Sequence, residues 1–298
     1  MKIGRIGIWH HLDALPASRA QHAAREVEEL GYGALWIPEA LGKEAFSHAG
    51  LLLAATRHLV VATGIANIWA RDAMAMAAAQ KTLGEAYPGR FLLGIGVSHQ
   101  PLVQGLRGHD FRQPYAFMRQ YLDAMDSSLY AGAAPASPPQ RVLGALHPKM
   151  LALSAERADG AHTYFVTPEH TARTRRILGA GKLLAAEQAV VLDENPESAR
   201  KIARLHMQTY LGLPNYVRNL ESLGFGPADV ADGGSDRLVD AIVAWGDVAS
   251  VSRRIEQHLA AGADHVCIQA LSASPDEVPV GQWRALAAVL IEKKNPDR

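Results

Sequence analysis

Residues 60–72 read VVATGIANIWARD. Val60, Val61, Ile65 and Ile68 suit a buried β-strand, and Asp72 suits the cap of a following helix. Gly64 interrupts the run. A glycine inside a strand weakens it and marks a close approach of another group to the backbone. Asn67, Trp69 and Arg71 then gather at the strand's exit. The fold depends on whether this unit, an apolar strand leading through a polar exit into a helix, recurs along the chain.

It recurs throughout. Strand-like runs lie at Ile3–Trp9, Ala34–Pro38, Leu59–Ile68, Phe91–Val97, Val142–Leu146, His162–Val166, Leu183–Leu192 and His265–Leu271. Helical patterns separate them at Ser18–Leu30, Ala45–Thr56, Ala73–Tyr87, Tyr115–Tyr130, Lys149–Ala158 and Pro168–Leu178, then from Pro196, at Asp247–Ala261 and at Gln282–Lys293. Thr167-Pro168 and Asn195-Pro196 each set a capping side chain before a proline at the first helical position. Eight apolar strands, each followed by helical sequence, predict parallel βα units. The count favours one closed (β/α)₈ barrel over residues 1–298, with insertions after strand four (Ser98–Pro114) and strand seven (Gly212–Asp236). An open doubly wound sheet is the alternative if the count is off by one or two strands. The Pro/Ala/Ser stretch Gly132–Gln140 reads as a long loop at the stable end of the barrel.

Composition narrows the function. Hydrophobic residues make up 48% of 298, enough for a large core. Lys and Arg together number 30, as do Asp and Glu, so neither nucleic acid nor a strongly charged partner is indicated. The lone cysteine, Cys267, sits in an apolar run and builds no disulfide or cysteine metal site within the chain. The apolar run in MKIGRIGIWHH is too short for a signal peptide, and no stretch reaches the roughly 18 apolar residues of a membrane span. A cytoplasmic protein without a membrane partner is expected.

In such barrels the active site lies at the C-terminal ends of the strands. That rule gathers His10, His11 and Asp13 after strand one, Glu39 after strand two, and Asn67, Trp69 and Arg71 after strand three. Ser98 and His99 follow strand four, His147 strand five, and Tyr164 and Thr167 strand six, with Glu187, Gln188 and Gln269 inside the last two strands. No metal site is expected: His10 and His11 are adjacent, so a strand points them apart, and no His-Glu-x-x-His occurs. GIGVSH is half of a dinucleotide fingerprint without its third glycine, and no G-x-S-x-G elbow or Walker loop is present.

The segments LWIPEA, LVVATGIANIWARDAMAMAAAQKTLGEAYPGRFLLGIGVSH, LRGHDFRQP, ALHPKMLALSAERADGA and YFVTPEHTARTRRILGAG resemble the luciferase-like flavin/deazaflavin oxidoreductases, and within them the actinobacterial branch that uses coenzyme F-420, an 8-hydroxy-5-deazaflavin. The resemblance spans nearly the whole chain. It implies a non-proline cis peptide at Gly64–Ile65, forming a bulge with Ala66 that presses on the middle ring of the cofactor, and a hydrogen bond from Asn67 to the ring system. It further implies that Gly96, Val97 and Ser98 line the ring pocket. Leu146 and His147, with Tyr164, Phe165 and Val166, would hold the cofactor phosphate through backbone N–H groups near helix N-termini, where anions are favoured. Many relatives carry glycine at the position of His147, so a side chain enters here.

The implied reaction is hydride transfer between the deazaflavin C5 and a small organic substrate, with Glu39 and His99 as candidates for the accompanying proton work. The structural alternative for Glu39 is a carboxylate paired with Arg71, and for His99 a loop histidine. An FMN-dependent monooxygenase of the same superfamily, or a barrel that binds flavin without turnover, is the competing function. A homodimer through Ala45–Thr56 and Ala73–Leu83, both rich in Ala, Leu and Met, is expected.

Overall fold

The computed structural model describes residues 1–274 and 277–291. Its strands are β1 (Ile6–Trp9), β2 (Ala34–Ile37), β3 (Val60–Thr63), β4 (Ala66–Asn67), β5 (Phe91–Gly96), β6 (Arg141–Gly144), β7 (Gly160–Thr163), β8 (Leu183–Val191), β9 (Ala244–Trp245) and β10 (His265–Ala270). All pairings are parallel. The order runs β10-β1-β2-β3-β5-β6-β7-β8, and β10 pairs back onto β8. β4 continues β3 along β5, and β9 extends the exit of β8. The sheet is therefore a closed eight-stave barrel, not the open alternative.

Period-two alternation explains the closure. Trp9, Trp36, Ala62, Leu92, Val142, Ala185 and Cys267 form an interior cluster. The alternate set, with Ile8, Leu35, Val61, Leu93, Leu143, Leu184 and Val266, packs beneath the helices. Both faces of every stave are buried, which is why the strands read as continuous apolar runs. Size is matched across staves: the large Trp36 stands opposite Ala62, and Ala62 opposite Leu92. Helix starts follow the sequence signals. Asp72 accepts from the Ala75 N–H and Asp247 from the Ser250 N–H.

The third strand departs from its expected continuous run. The cis peptide Gly64–Ile65 divides it into β3 and β4. A Cβ on Gly64 would lie 2.8 Å from Trp9 Nε1 and 3.1 Å from His162 Nε2, so a larger residue there meets interior groups that have nowhere to go. The sixth strand also stops early, at Thr163, because Phe165 takes a left-handed φ of 59° and turns the chain out. The expected inserted loop Gly212–Asp236 is partly helical: Pro214–Ser222 and Pro227–Val230 are helices. The first buries Tyr216, Asn219 and Leu220, an i, i+3, i+4 stripe. Its flanking glycines and prolines mask that stripe in the composition. The closing helix is Val280–Leu290; its expected end at Lys293 lies outside the described residues. Among the described residues no helix is long and apolar enough to cross a membrane.

Candidate active site

At the exits of β2 and β4 the groups are tied to one another. Glu39 is 8% exposed, and its Oε2 accepts from the Asn67 N–H at 2.8 Å and from Arg71 Nη1 at 2.9 Å. Its Oε1 accepts from Arg71 Nη2 and from the Ala45 N–H at 3.3 Å. Arg71 also reaches Glu44 at 2.8 Å, its guanidinium lies over the Phe46 ring, and Tyr121 donates to the Arg71 carbonyl. Burial works against the guanidinium charge, but the carboxylates outweigh it and raise the Arg71 pKa above its ordinary value. Glu39 thus ties the first turn of helix Ala45–Ala55 to the strand carrying the bulge. This is the structural pairing, with every carboxylate oxygen occupied.

The bulge is packed just as closely. The Ile65 side chain lies over Gly96, where a Cβ would come within 2.7 Å of it, and reaches Gly144. Asn67 Oδ1 accepts from the Trp69 N–H, while its buried Nδ2 has no partner. Trp69 donates to the Val97 carbonyl at 3.0 Å and stacks on Phe117 at 3.9 Å. Ser98, in a left-handed turn at φ 57°, leads to the half-buried His99. Burial lowers the His99 imidazole pKa, opposed by a hydrogen bond with Asn215.

The far wall, at the exits of β6, β7, β8 and β10, is aromatic and less completely bonded. Tyr164 donates to Gln269 Oε1 at 2.7 Å and so must accept from Tyr210, also at 2.7 Å. Tyr210 and Tyr216 pack on Phe165 with ring centroids 5.0 and 5.5 Å away, and His99 meets Tyr216 at 5.4 Å. The Phe165 N–H donates to Glu187 Oε2 at 3.1 Å. Burial pushes the Glu187 carboxyl up to about 8, and Oε1 has no partner. His206 Nε2 in the same cluster is likewise unpartnered. The His147 Nε2 is 2.9 Å from the Asn215 carbonyl, so its ring is turned to the inserted helix Pro214–Ser222. The loop N–H groups of Leu146, His147 and Val166 make no hydrogen bond among the described residues, beside helices that start at Pro148 and Pro168.

Strand alternation sorts the remaining candidates. Glu187 points inward, but Gln188 points outward to the Ile242 carbonyl and His258. His10 packs edge-on against Trp283, away from the mouth, and burial lowers it to about 4. His11 stays near the mouth, 4.8 Å from the Trp9 ring. No group of three or more His, Cys, Asp or Glu is placed to hold a metal among the described residues. The strand-end rule missed His206, Tyr210 and Tyr216 because they sit on helices, the first two on Pro196–Leu211 and Tyr216 on the inserted Pro214–Ser222. The aromatic content of HMQTYLGLPNY was the available signal.

These features define a (β/α)₈ barrel with a polar and aromatic site at its C-terminal mouth. The chain belongs to the luciferase-like monooxygenase family, whose pattern matches residues 3–265. It is 25% identical to a Mycobacterium tuberculosis protein named as a coenzyme F-420-dependent oxidoreductase, over 97% of this chain and 99% of that one. In fold it is similar to an F-420-dependent secondary alcohol dehydrogenase in complex with an F-420–acetone adduct: TM-score 0.77, 15% identity, 96% of this chain and 98% of that one. It is also similar to the oxygenating constituent of 3,6-diketocamphane monooxygenase of Pseudomonas putida in complex with FMN: TM-score 0.71, 14% identity, 95% of each chain.

Proposed function

We propose that this protein is a coenzyme F-420-dependent oxidoreductase acting on a small organic substrate. The observation that carries the reading is the pair of unpaired N–H loops at Leu146–His147 and Val166, each opening a helix, facing a mouth bounded by the Gly64–Ile65 bulge. Free N–H groups at helix N-termini suit a phosphate. The orphaned Asn67 Nδ2 and Glu187 Oε1 are polar atoms that a heterocyclic ring can satisfy. When bound, F-420 supplies or accepts the hydride.

In this reading Gly64, Ile65 and Ala66 support the ring, Asn67 hydrogen-bonds it, and Gly96, Val97 and Ser98 give it room. His147 and Tyr164 complete the phosphate loops through their backbone, whereas the Phe165 N–H, expected to join them, is already taken by Glu187 Oε2. His99 moves the proton, because burial lowers its imidazole pKa and so favours the neutral form that can accept. Glu39 is a positioning residue: with four donors on its two oxygens it fixes Asn67 and Arg71. Trp69 and Tyr216 exclude water. The same proposal includes a homodimer through helices Ala45–Ala55 and Ala73–Ala86, which expose Leu51 and Met74, checked by light scattering.

Titration of the purified protein with F-420 and with FMN tests the reading. Saturable F-420 binding at least tenfold tighter than FMN is expected. Preference for FMN makes the protein a flavin-dependent monooxygenase and overturns the assignment.

A further inference from the structure

The barrel interior holds a carboxyl group that takes no part in the proton work above. Glu187 lies on β8 two residues beyond the inward-facing Ala185, and opposite Cys267 in the register with β10. It is 1% exposed. Its Oε2 takes the Phe165 N–H, and its Oε1 is buried without a hydrogen-bond partner. The titratable groups acting on one another around it are the hydroxyls of Tyr164 from the exit of β7, of Tyr210 from the helix Pro196–Leu211 and of Tyr216 from the inserted helix Pro214–Ser222, with the Cys267 thiol from β10. Among the described residues no cation offsets its burial. Every neighbour is neutral, so the environment favours the uncharged carboxylic acid, and this agrees with the upward shift to about 8. An acid whose Oε2 already accepts carries its proton on the other oxygen, which makes Oε1 a donor with nothing to donate to.

The barrel's order gives that donor a direction. Counting around the ring, β8 is four staves from β3 either way, so Glu187 stands diametrically across from the Gly64–Ile65 bulge. A flat ring system held at the mouth between these two walls would present one edge to the bulge and the other to Glu187. That wall offers a second donor. Gln269 Oε1 is taken by Tyr164, and its amide N–H groups make no hydrogen bond among the described residues. The pyrimidinedione end of a flavin or deazaflavin carries two carbonyl acceptors either side of an N–H, and two donors on one wall match them.

We propose that Glu187 donates a hydrogen bond, through its unpartnered oxygen, to a carbonyl acceptor on the pyrimidinedione edge of the bound ring cofactor. This rests on the reading that a ring cofactor occupies the mouth. It makes Glu187 a determinant of cofactor binding: the neutral acid reads an acceptor edge, and an ionised one repels it.

Infrared difference spectroscopy on the full-length protein at neutral pH tests it, with F-420 and FMN as separate probes and fluorescence titration as the independent measure of occupancy. A protonated-carboxyl C=O band is expected in the free protein, absent from Glu187→Gln, and shifted to lower frequency when F-420 saturates the site. Glu187→Gln keeps a donor and should hold F-420 affinity within about threefold, whereas Glu187→Leu should weaken it about tenfold. If the band is missing from the wild type, or present and unmoved at proven saturation, the proposal is overturned. If F-420 does not bind but FMN does and moves the band, the cofactor assignment falls while the role of Glu187 stands. If neither binds, both fall.

Discussion

The two walls of the barrel mouth each bury a carboxylate, and they treat it in opposite ways. On the β2–β4 side Glu39 is saturated, its two oxygens shared among Arg71, Asn67 and Ala45. On the β8 side Glu187 has one backbone donor and an empty oxygen. The first wall spends its carboxylate on itself and, among the described residues, leaves only the Asn67 Nδ2 unmet. The second leaves polar groups unmet, as a surface awaiting something does. Burial alone therefore does not indicate whether a carboxylate serves the fold or a ligand. Counting partners separates the two.

The comparison breaks most visibly at Arg71. Its loss leaves Glu39 buried and unpaired, so Arg71→Leu should cost about 3–5 kcal/mol in denaturant unfolding. Glu39→Gln should lower the melting temperature and F-420 affinity while leaving the single-turnover rate of the bound fraction nearly unchanged. A fall of about 10²-fold or more in that rate would return Glu39 to the proton work. Next in size is Gly96→Ala, whose Cβ would meet Ile65 at 2.7 Å. Overpacking of this kind costs about 1–3 kcal/mol, and the displaced bulge should abolish F-420 binding in fluorescence titration even where the protein remains folded.

The Glu187 wall answers to pH. Its carboxyl rises from 4.5 unfolded to about 8 folded, so between those values the native state holds a proton that the unfolded chain has released. Stability from this group then falls as pH rises through that window, by at most about 1.4 kcal/mol per pH unit, and levels off above it. The difference between wild type and Glu187→Gln across a pH series of melts should show this slope. A difference independent of pH would mean the acid is ionised throughout. The smallest effect belongs to Tyr164→Phe, which removes one hydroxyl between Tyr210 and Gln269 and should cost about 1 kcal/mol.

The barrel and its first wall were legible in the sequence, and the second wall was legible only in part. Val60–Asp72 announced a strand, a glycine and a capped helix because each signal is local: β-branched residues, a missing side chain, an Asp one residue before a helix. The Glu39–Arg71 pair was also foreseeable, since both stand at the exits of neighbouring staves. Strand alternation separates Glu187 from Gln188, but only once the register of β8 against β10 is fixed. The contribution of Tyr210 and Tyr216 depends on how the helix Pro196–Leu211 and the inserted Pro214–Ser222 pack at the mouth, and no spacing along the chain encodes that. His147 was legible as an oddity; that its ring turns to the Asn215 carbonyl was not.

The ring is sealed by its two ends. β1 takes β10 as its neighbour, with Ile6 opposite Val266 and Gly7 opposite Cys267. The seam is reinforced from side chains: His265 Nδ1 stands 2.9 Å from the Gly4 carbonyl, and Tyr32 donates to the Trp283 carbonyl at 2.7 Å. Without that last strand the other seven staves would leave two open margins, β1 and β8, each lacking the same neighbour. Until His265–Ala270 arrives both margins present unpaired backbone, the condition under which chains join to one another instead of to themselves.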